Sequence, residues 1–274
     1  MTYENAYEIL GEVRRGINEY TTAYLQGTDT TGAYSNAEIL HKINDAQKLL
    51  FDRLIVKRPQ VFFKSAPLTP VANVLTPPSD FYRIRRLEDS QKLKVWEEDL
   101  DKKRMEGEDG SPHHYYWKGG TLVVDADVSE VFTLYYTFRP RDLHSGMSSA
   151  GGALSLTLDA AFARPIADYY NGMVIENITD SWVDTISDYS AARVAVLAAQ
   201  TGAASKYYGL VSDLPEALHP FIARRATLHM RATYKSLEKP TMVDLGMFKE
   251  DLDATLNGLL GTFHTDTPMR ELFE

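Results

Sequence analysis

The chain has 274 residues, of which 44% are hydrophobic, enough for a buried core and for about two compact domains. It has no cysteine, which excludes disulfides and thiolate metal sites, and its formal net charge of -9 argues against tight, sequence-independent binding of nucleic acid. No run approaches the ~20 apolar residues of a membrane-spanning helix, and Met1–Asn5 has no basic leader, so we expect neither membrane insertion nor secretion.

Two helices are predicted near the N-terminus. Residues 3–26 carry apolar side chains at spacings of three and four, which is typical of one face of a long helix. After a loop rich in glycine and threonine, residues 27–32, the pair Ser35 and Glu38 has the spacing of a capping box. An apolar stripe follows this pair until Pro59, where we expect the second helix to stop.

The apolar period changes between residues 61 and 140, where β-branched and aromatic runs predict a small antiparallel sheet. The runs are Val61–Phe63, Phe81–Ile84, Tyr115–Lys118, Thr121–Val124 and Val131–Phe138. They are interrupted by four prolines, Pro67, Pro70, Pro77 and Pro78. Gly119 and Gly120 are predicted to form a two-residue hairpin loop, because glycine adopts positive φ without a Cβ clash. The charged segment Trp96–Glu106 is predicted to be a short surface helix.

A second β-rich unit is predicted after residues 146–152, whose small side chains indicate a flexible domain boundary. The alternating run Leu154–Leu158 is typical of a half-buried strand. Further strands are predicted at Tyr169–Ile175, Thr185–Ser190 and Arg193–Leu197, and the unit is predicted to end near Tyr208–Val211. Thr179–Ser181 supplies the turn between the first two of these.

Two helices are predicted towards the C-terminus. Asp213 and Glu216 have the spacing of another capping box, and Pro220 should kink or restart the helix that follows. The last helix begins after Pro240, carries a leucine and phenylalanine stripe, and is predicted to close at Gly261.

Together these elements predict an α+β fold. Its body is a helical bundle of the two N-terminal and two C-terminal helices, which carries a small antiparallel sheet and a second, inserted β-rich domain. We expect four regions: 1–145 for the N-terminal helices and the small sheet, 152–213 for the inserted domain, 214–261 for the returning helices, and 262–274 for a tail.

The sequence offers no recognisable catalytic constellation. Its seven histidines show no metal-ligand spacing, and it contains no nucleophile elbow, phosphate-binding loop or dinucleotide fingerprint. Acidic pairs such as Asp125 with Asp127 and Asp251 with Asp253 have the residue types of a glycosidase, but a chain with 38 acidic residues contains such pairs by chance. We predict no catalytic residue, no metal ligand and no cofactor.

Arginines and tyrosines are the candidates for recognition. The basic positions near predicted strand ends are Arg83, Arg85, Arg86, Arg139 and Arg141. They suit phosphate, an acidic neighbouring subunit or a surface of intramolecular salt bridges. The 16 tyrosines suit protein interfaces and sheet cores equally well.

Three segments follow the predicted N-terminal helices in a characteristic order: Pro78–Leu87, Tyr116–Leu122 and Leu134–Pro140. This arrangement resembles the head-to-tail connector adaptor, or head-completion, proteins of tailed bacteriophages. The later segment Asp168–Tyr189 resembles a β module that recurs in phage structural proteins. The resemblance covers most of residues 36–260.

The resemblance implies a non-enzymatic structural subunit of the virion neck, assembled in the host cytoplasm. Its implied partners are other copies in a homo-oligomeric ring, a dodecamer, together with the portal protein and tail or nozzle proteins. Viral double-stranded DNA would pass through the sealed channel without specific binding, and no membrane is involved. Two alternatives stay open: another neck, tail or baseplate structural protein, and a carbohydrate-active enzyme that acts on the host cell wall.

The C-terminal tail has too few apolar residues to form a core of its own, and disorder is the simplest expectation for it. The resemblance implies instead that the tail docks on the portal. Its candidate portal-interface residues are Phe263, Met269, Leu272 and Phe273.

Overall fold

The computed structural model describes residues 5–26, 32–57, 59–97, 114–124, 130–161, 163–234 and 237–263. Within these ranges the chain forms five α-helices: α1 Ala6–Gly16, α2 Thr22–Leu25, α3 Asn36–Lys57, α4 His219–Thr233 and α5 Met242–Phe263. The chain divides into two compact units. Unit 1 comprises Met1–Phe51 and Pro140–Glu274, and unit 2 comprises Asp52–Arg139. Unit 2 is thus inserted in the sequence of unit 1.

Unit 2 contains a seven-stranded sheet in the order β1-β7-β3-β4-β5-β6-β2. Its strands are β1 Phe63–Leu68, β2 Val74–Leu75, β3 Phe81–Glu88, β4 Lys94–Glu97, β5 His114–Lys118, β6 Thr121–Val124 and β7 Phe132–Phe138. Among the described strands of this sheet, only β4 and β5 pair in parallel. Phe132, Leu134, Tyr136 and Phe138 of β7 are buried at a spacing of two, which directs one face of the strand into the core, and Thr137 on the opposite face is buried as well.

Unit 1 contains a second seven-stranded sheet, antiparallel throughout, in the order β8-β14-β11-β12-β13-β10-β9. Its strands are β8 Ser145–Met147, β9 Ala150–Gly152, β10 Ser155–Thr157, β11 Val174–Asn177, β12 Trp182–Tyr189, β13 Val194–Leu197 and β14 Tyr207–Leu210. Tyr170, Tyr189 and Tyr208 are almost wholly buried in this unit. Sheet cores therefore account for part of the tyrosine content.

Helix α1 is fixed to this sheet through Asn5. The Asn5 Oδ1 atom accepts hydrogen bonds from the backbone N–H groups of Tyr7 and Glu8, at 2.9 and 3.1 Å, and caps the helix. Its Nδ2 atom donates to Glu176 Oε2 on β11 at 2.6 Å. Gly209 on β14 leaves room for this contact, since a Cβ atom there would lie 2.5 Å from Asn5 Oδ1. One buried side chain thus both starts α1 and joins it to the sheet.

Helix α3 holds the segment by which the chain re-enters unit 1. Asn44 Nδ2 donates to Leu143 O at 3.0 Å, and Leu143 N donates to Asn44 Oδ1 at 2.6 Å. One turn later, Gln47 Nε2 donates to Arg141 O at 2.7 Å, and Gln47 Oε1 accepts from Ser212 Oγ at 2.5 Å. These side chains take the place of a neighbouring strand, and so satisfy backbone groups that would otherwise be buried without partners.

The predicted helical bundle with a small sheet is wrong. The described residues contain two sheets of seven strands, one in unit 1 and one in unit 2. The prediction had instead a helical body with one small sheet and one inserted β-rich domain. Many strands have only two to four residues, too few to show a clear period of two in the sequence. Their pairing is set by long-range contacts, which weigh more than local propensity. The four predicted regions stay a prediction, because a compact unit is not by itself a domain that folds alone.

The predicted first helix over residues 3–26 is also wrong as a single element. Asn18 has φ 62°, a left-handed conformation that ends α1, and Thr21 Oγ1 then accepts from Tyr24 N at 3.1 Å to start α2. The second predicted helix is confirmed as α3. Its capping box is present, with Glu38 N donating to Ser35 Oγ at 3.2 Å and Ser35 N donating to Glu38 Oε2 at 2.9 Å.

Unit 2 departs from prediction at three places. Residues Pro59–Phe62 form a 3-10 helix, so β1 begins only at Phe63. Pro67 lies inside β1 rather than interrupting it, which is tolerated because β1 is an edge strand. Trp96 lies in β4 instead of a helix, and the remainder of that predicted helix after Glu97 lies outside the described residues. The hairpin at Gly119 and Gly120 is confirmed, with φ values of 57° and 83°.

The segment 146–152 contributes to two strands, with Gly146 and Met147 in β8 and Ala150–Gly152 in β9, while its role as a domain boundary stays a prediction. The small size of its residues allows close packing of backbones: a Cβ atom on Gly151 would lie 2.3 Å from Ala203 N. The strand predicted at Tyr169–Ile175 starts only at Val174, after a turn in which Gly172 has φ 78°. The other strands predicted in this region are present with small shifts of their ends.

The predicted capping box of Asp213 and Glu216 is absent. Asp213 binds Arg141 instead, and the 3-10 turn Glu216–Leu218 has Pro215 at its N-cap without a side-chain hydrogen bond. Helix α4 starts at His219 with Pro220 in its first turn, as predicted for a restart. Helix α5 continues two residues beyond Gly261, because glycine weakens a helix without ending it unless the chain turns there.

Candidate functional site

Two buried histidines serve the fold. Tyr208 OH accepts from Asp159 N at 2.8 Å and lies 2.8 Å from His144 Nδ1, so the hydroxyl proton is directed to His144. Burial lowers the pKa of His144 to about 3, which keeps the ring neutral. His219 Nε2 lies 2.8 Å from Leu214 O, which only accepts, and burial lowers the pKa of His219. Both rings therefore join elements of unit 1.

Metal ligands, membrane insertion and two acidic pairs were also considered from the sequence. Across the described ranges, no group of three or more histidine, aspartate or glutamate side chains is arranged to hold a metal ion. No helix in that part of the chain has the length and apolar character to span a membrane. Asp125 and Asp127 lie outside the described residues, whereas Asp251 pairs with Arg224 of α4 at 2.5 Å.

A cleft of about 570 Å³ opens beside α1 in unit 1, and sequence reasoning did not find it. Four tyrosines contribute to its lining: Tyr7, Tyr24, Tyr34 and Tyr207. Arg14, which also lines the cleft, donates to Tyr34 O at 3.0 Å and to Asn36 Oδ1 at 2.6 Å, and it lies 3.6 Å from Glu19. These contacts tie local segments of the chain together, and the buried Nη1 atom of Arg14 makes no hydrogen bond to any described residue.

The five basic positions separate into two kinds. Arg141 is buried, forms an ion pair with Asp213 at 2.9 Å, and also donates to Asn171 O. Arg86 Nε lies 2.8 Å from Glu88 Oε1. These two arginines each form an ion pair within the chain, as the salt-bridge interpretation predicted. The others, Arg83, Arg85 and Arg139, are exposed on unit 2.

Strand β3 places two of these exposed arginines, Arg83 and Arg85, beside Thr137 of β7 on one face of its sheet. Arg83 and Phe63 both pair with Thr137, so the three residues form a row across β1, β7 and β3. The register of β3 shifts between Ile84 and Arg86, a bulge that removes Arg85 from strict alternation. Arg139 lies directly after the end of β7, two residues beyond Thr137. No periodicity in the sequence predicts a bulge.

Arg85 is held in a defined position on this face. Its Nε donates to Thr137 Oγ1 at 2.8 Å, and its guanidinium carbon lies 5.2 Å from the centroid of the Phe63 ring. Partial burial lowers the pKa of Arg85, and the positive charge of Arg83 lowers it further. We call Phe63, Arg83, Arg85 and Arg139 the arginine face.

Helix α5 combines a packed side with an exposed one. Its N-terminus is capped by Thr241, whose Oγ1 accepts from Asp244 N at 3.1 Å. Phe248 stacks edge-on against Phe221 of α4, with ring centroids 6.0 Å apart, and Leu252 and Leu256 are buried. The predicted leucine and phenylalanine stripe is thus confirmed at these buried positions.

The exposed side of α5 carries apolar residues that the described part of unit 1 leaves open to solvent. Val243 is 67% exposed and Met247 is 53% exposed. Glu250 follows on the same side at the next turn and is exposed. We call Val243, Met247 and Glu250 the α5 stripe.

The predicted portal-interface residues lie at and beyond the end of α5. Phe263 is the last residue of that helix. Met269, Leu272 and Phe273 lie outside the described residues, so their role stays a prediction.

Two comparisons with known proteins bear on identity. A search of curated proteins finds no match to this chain. A family model described as SU10 adaptor protein matches residues 1–268, nearly the entire chain. The chain therefore belongs to the SU10 adaptor protein family and is a phage structural adaptor.

Proposed function

We propose that this adaptor is a ring subunit of the phage neck, which joins the portal of the head to the tail or nozzle proteins. The observation that carries the proposal is the family match over residues 1–268. The chain would act at the head–tail junction of the virion after assembly in the host cytoplasm. It would seal the DNA channel without catalysing a reaction.

The ring is proposed to be a homo-oligomer, a dodecamer, closed by head-to-tail contacts. Such contacts use two different surfaces of each subunit. The arginine face on unit 2 and the α5 stripe on unit 1 are different in chemistry and are both exposed. Their exposure and their unlike chemistry support the proposal that they are the two surfaces of a closed ring.

The net charge of -9 supports passage of double-stranded DNA without specific binding. Copies of an acidic chain around a channel repel the phosphate backbone, so the DNA stays mobile.

Deletion of the gene tests the neck position. We expect DNA-filled heads that leak or fail to join tails, and density for the chain next to the portal in wild-type virions. Stable full heads in the deletion strain would instead support a tail or baseplate protein. Absence of the chain from purified virions would contradict both the neck position and the tail or baseplate alternative.

The C-terminal tail is proposed to bind the portal through Phe263, Met269, Leu272 and Phe273. Replacing Met269, Leu272 and Phe273 by serine should abolish capture of the chain by purified portal, because the apolar anchors are lost. The control is Thr265→Ala with Thr267→Ala, which changes the same segment but keeps the anchors. Equal capture of both variants would contradict the docking proposal.

The non-enzymatic part is tested with the purified protein on host cell-wall polysaccharide. We expect no release of reducing sugar ends. Turnover above that of a heat-denatured sample would support the carbohydrate-active alternative.

A further inference from the structure

We propose that the arginine face of unit 2 docks onto the α5 stripe of a second copy of this chain. The inference rests on the proposed ring and names the surfaces that join its neighbours. It assigns the exposed arginines to an acidic protein partner rather than to phosphate.

Among the residues that the structure describes, no carboxylate compensates the positive charge of Arg83 and Arg85. Lys64 pairs with Asp80 at 2.8 Å and Arg86 pairs with Glu88 at 2.8 Å, whereas no described acidic side chain lies within ion-pair distance of Arg83 or Arg85. Partial burial lowers the pKa of Arg85, and the positive charge of Arg83 lowers it further. A carboxylate placed between the two guanidinium groups would offset both effects.

The same face is prepared for a protein contact. Arg85 is fixed through Nε and the Phe63 ring, so its terminal nitrogens need lose little freedom when they bind a carboxylate. Phe63 is 38% exposed beside it and offers apolar area. Arginine and aromatic residues at the centre of a contact dominate protein interfaces.

The α5 stripe has the complementary chemistry. Val243 and Met247 offer aliphatic surface, and Glu250 offers a carboxylate at the next turn. Glu250 has no ion pair among the residues that the structure describes. Phe63 would cover the aliphatic side chains, while Arg83 and Arg85 bind Glu250.

Nucleic acid suits the arginine face less well. Binding to a phosphate backbone depends on several basic side chains, and each phosphate contact adds salt dependence. Three exposed arginines on a chain of net charge -9 are a weak electrostatic site for DNA. A second copy of the same acidic chain is the better match.

The test measures ring formation by native mass spectrometry, with and without purified portal. Arg83→Glu combined with Arg85→Glu should raise the concentration needed for half-assembly at least about tenfold, the equivalent of about 1.4 kcal/mol. Lys92→Glu with Lys118→Glu is the matched control, because it makes the same charge change at exposed positions of unit 2 and should leave assembly unchanged.

Charge exchange identifies the partner surface. Glu250→Lys alone should also weaken assembly, and its combination with Arg83→Glu and Arg85→Glu should restore ring formation. Failure to restore it, or normal assembly of the arginine variant, would overturn the proposal. If the melting temperature of the arginine variant differs from that of the wild type, Arg83→Glu with Arg139→Glu replaces it. This second pair of substitutions leaves the Arg85 contacts intact.

The two proposals fail in different ways. If wild-type chain forms no ring under either condition, the proposed ring is wrong. If wild-type rings form and the arginine variant differs only in binding a double-stranded DNA fragment, the ring stands and the docking surface is wrong.

Discussion

Asn5, Gln47 and His144 each place a polar side chain where water does not reach it, and each bonds to backbone or to a distant side chain. Such groups stabilise the fold only while their partners stay in place, because an unpaired buried group costs roughly 1–3 kcal/mol. Each of these three residues therefore holds together separate segments of unit 1.

The pH dependence of stability should show the contribution of His144. Its pKa of about 3 in the folded chain lies below the ordinary value of 6.5, so the unfolded chain binds the proton first. The stability that its neutral form contributes is complete above pH 6.5 and falls by up to about 1.4 kcal/mol per pH unit below it. Denaturant unfolding at a series of pH values measures this slope.

Two variants separate His144 from the other titrating groups. His144→Gln cannot titrate, so its free energy of unfolding should fall less steeply than that of the wild type between pH 6.5 and 4. His41→Gln, at an exposed position, should follow the wild-type slope. Parallel curves for wild type and His144→Gln would contradict the assignment.

Two glycine substitutions should have opposite effects. Gly209→Ala places a Cβ atom 2.5 Å from Asn5 Oδ1, so it should displace the cap of α1 and destabilise by about 1–2 kcal/mol or more. Gly258→Ala, within α5, meets nothing within 4 Å and should stabilise by roughly 0.5–1 kcal/mol. Thermal unfolding measures both, and a neutral Gly209→Ala would show that the cap is not required.

At the scale of elements, a local motif is reliable only where no distant partner competes for its side chains. Ser35 and Glu38 form the capping box that their spacing predicts. Asp213 and Glu216 have the same spacing, but Arg141 binds the carboxylate of Asp213 from 72 positions away. The sequence around Asp213 gives no sign that Arg141 will bind its carboxylate.

The contact between α3 and the re-entering segment should depend on Gln47. Gln47→Ala removes one partner from Arg141 O and one from Ser212 Oγ, both in a buried setting. We expect a loss of roughly 2–3 kcal/mol in the free energy of unfolding. Gln91→Ala, at an exposed turn, is the control and should change it by less than about 0.5 kcal/mol. Equal effects would contradict the assigned role of Gln47.

At the scale of the whole molecule, the insertion of unit 2 leads to a further prediction. Gln47 and Arg141 lie on either side of the insertion and are joined within unit 1 by a 2.7 Å hydrogen bond. A chain in which a short Gly-Ser linker replaces residues 52–139 should therefore fold as unit 1. Circular dichroism and cooperative thermal unfolding provide the measurement, and a non-cooperative transition would show that unit 1 needs unit 2.

Family membership was predictable from the order of segments such as Pro78–Leu87 and Leu134–Pro140, and the family match confirms it. The relative weight of helix and sheet was not, because strands as short as β2 leave no periodic signal. The arginine face was predictable only as a set of basic positions. Its arrangement depends on a bulge in β3 and on pairing with β7, which are long-range features.

Pro67 in edge strand β1 has a consequence for the time between synthesis and assembly. Proline has no N–H group, so the outer side of β1 is a poor template for another strand. At this edge, newly made subunits are therefore less prone to join strand to strand into open-ended fibres. Side-chain surfaces, which can specify one neighbour and one orientation, are better suited to association there.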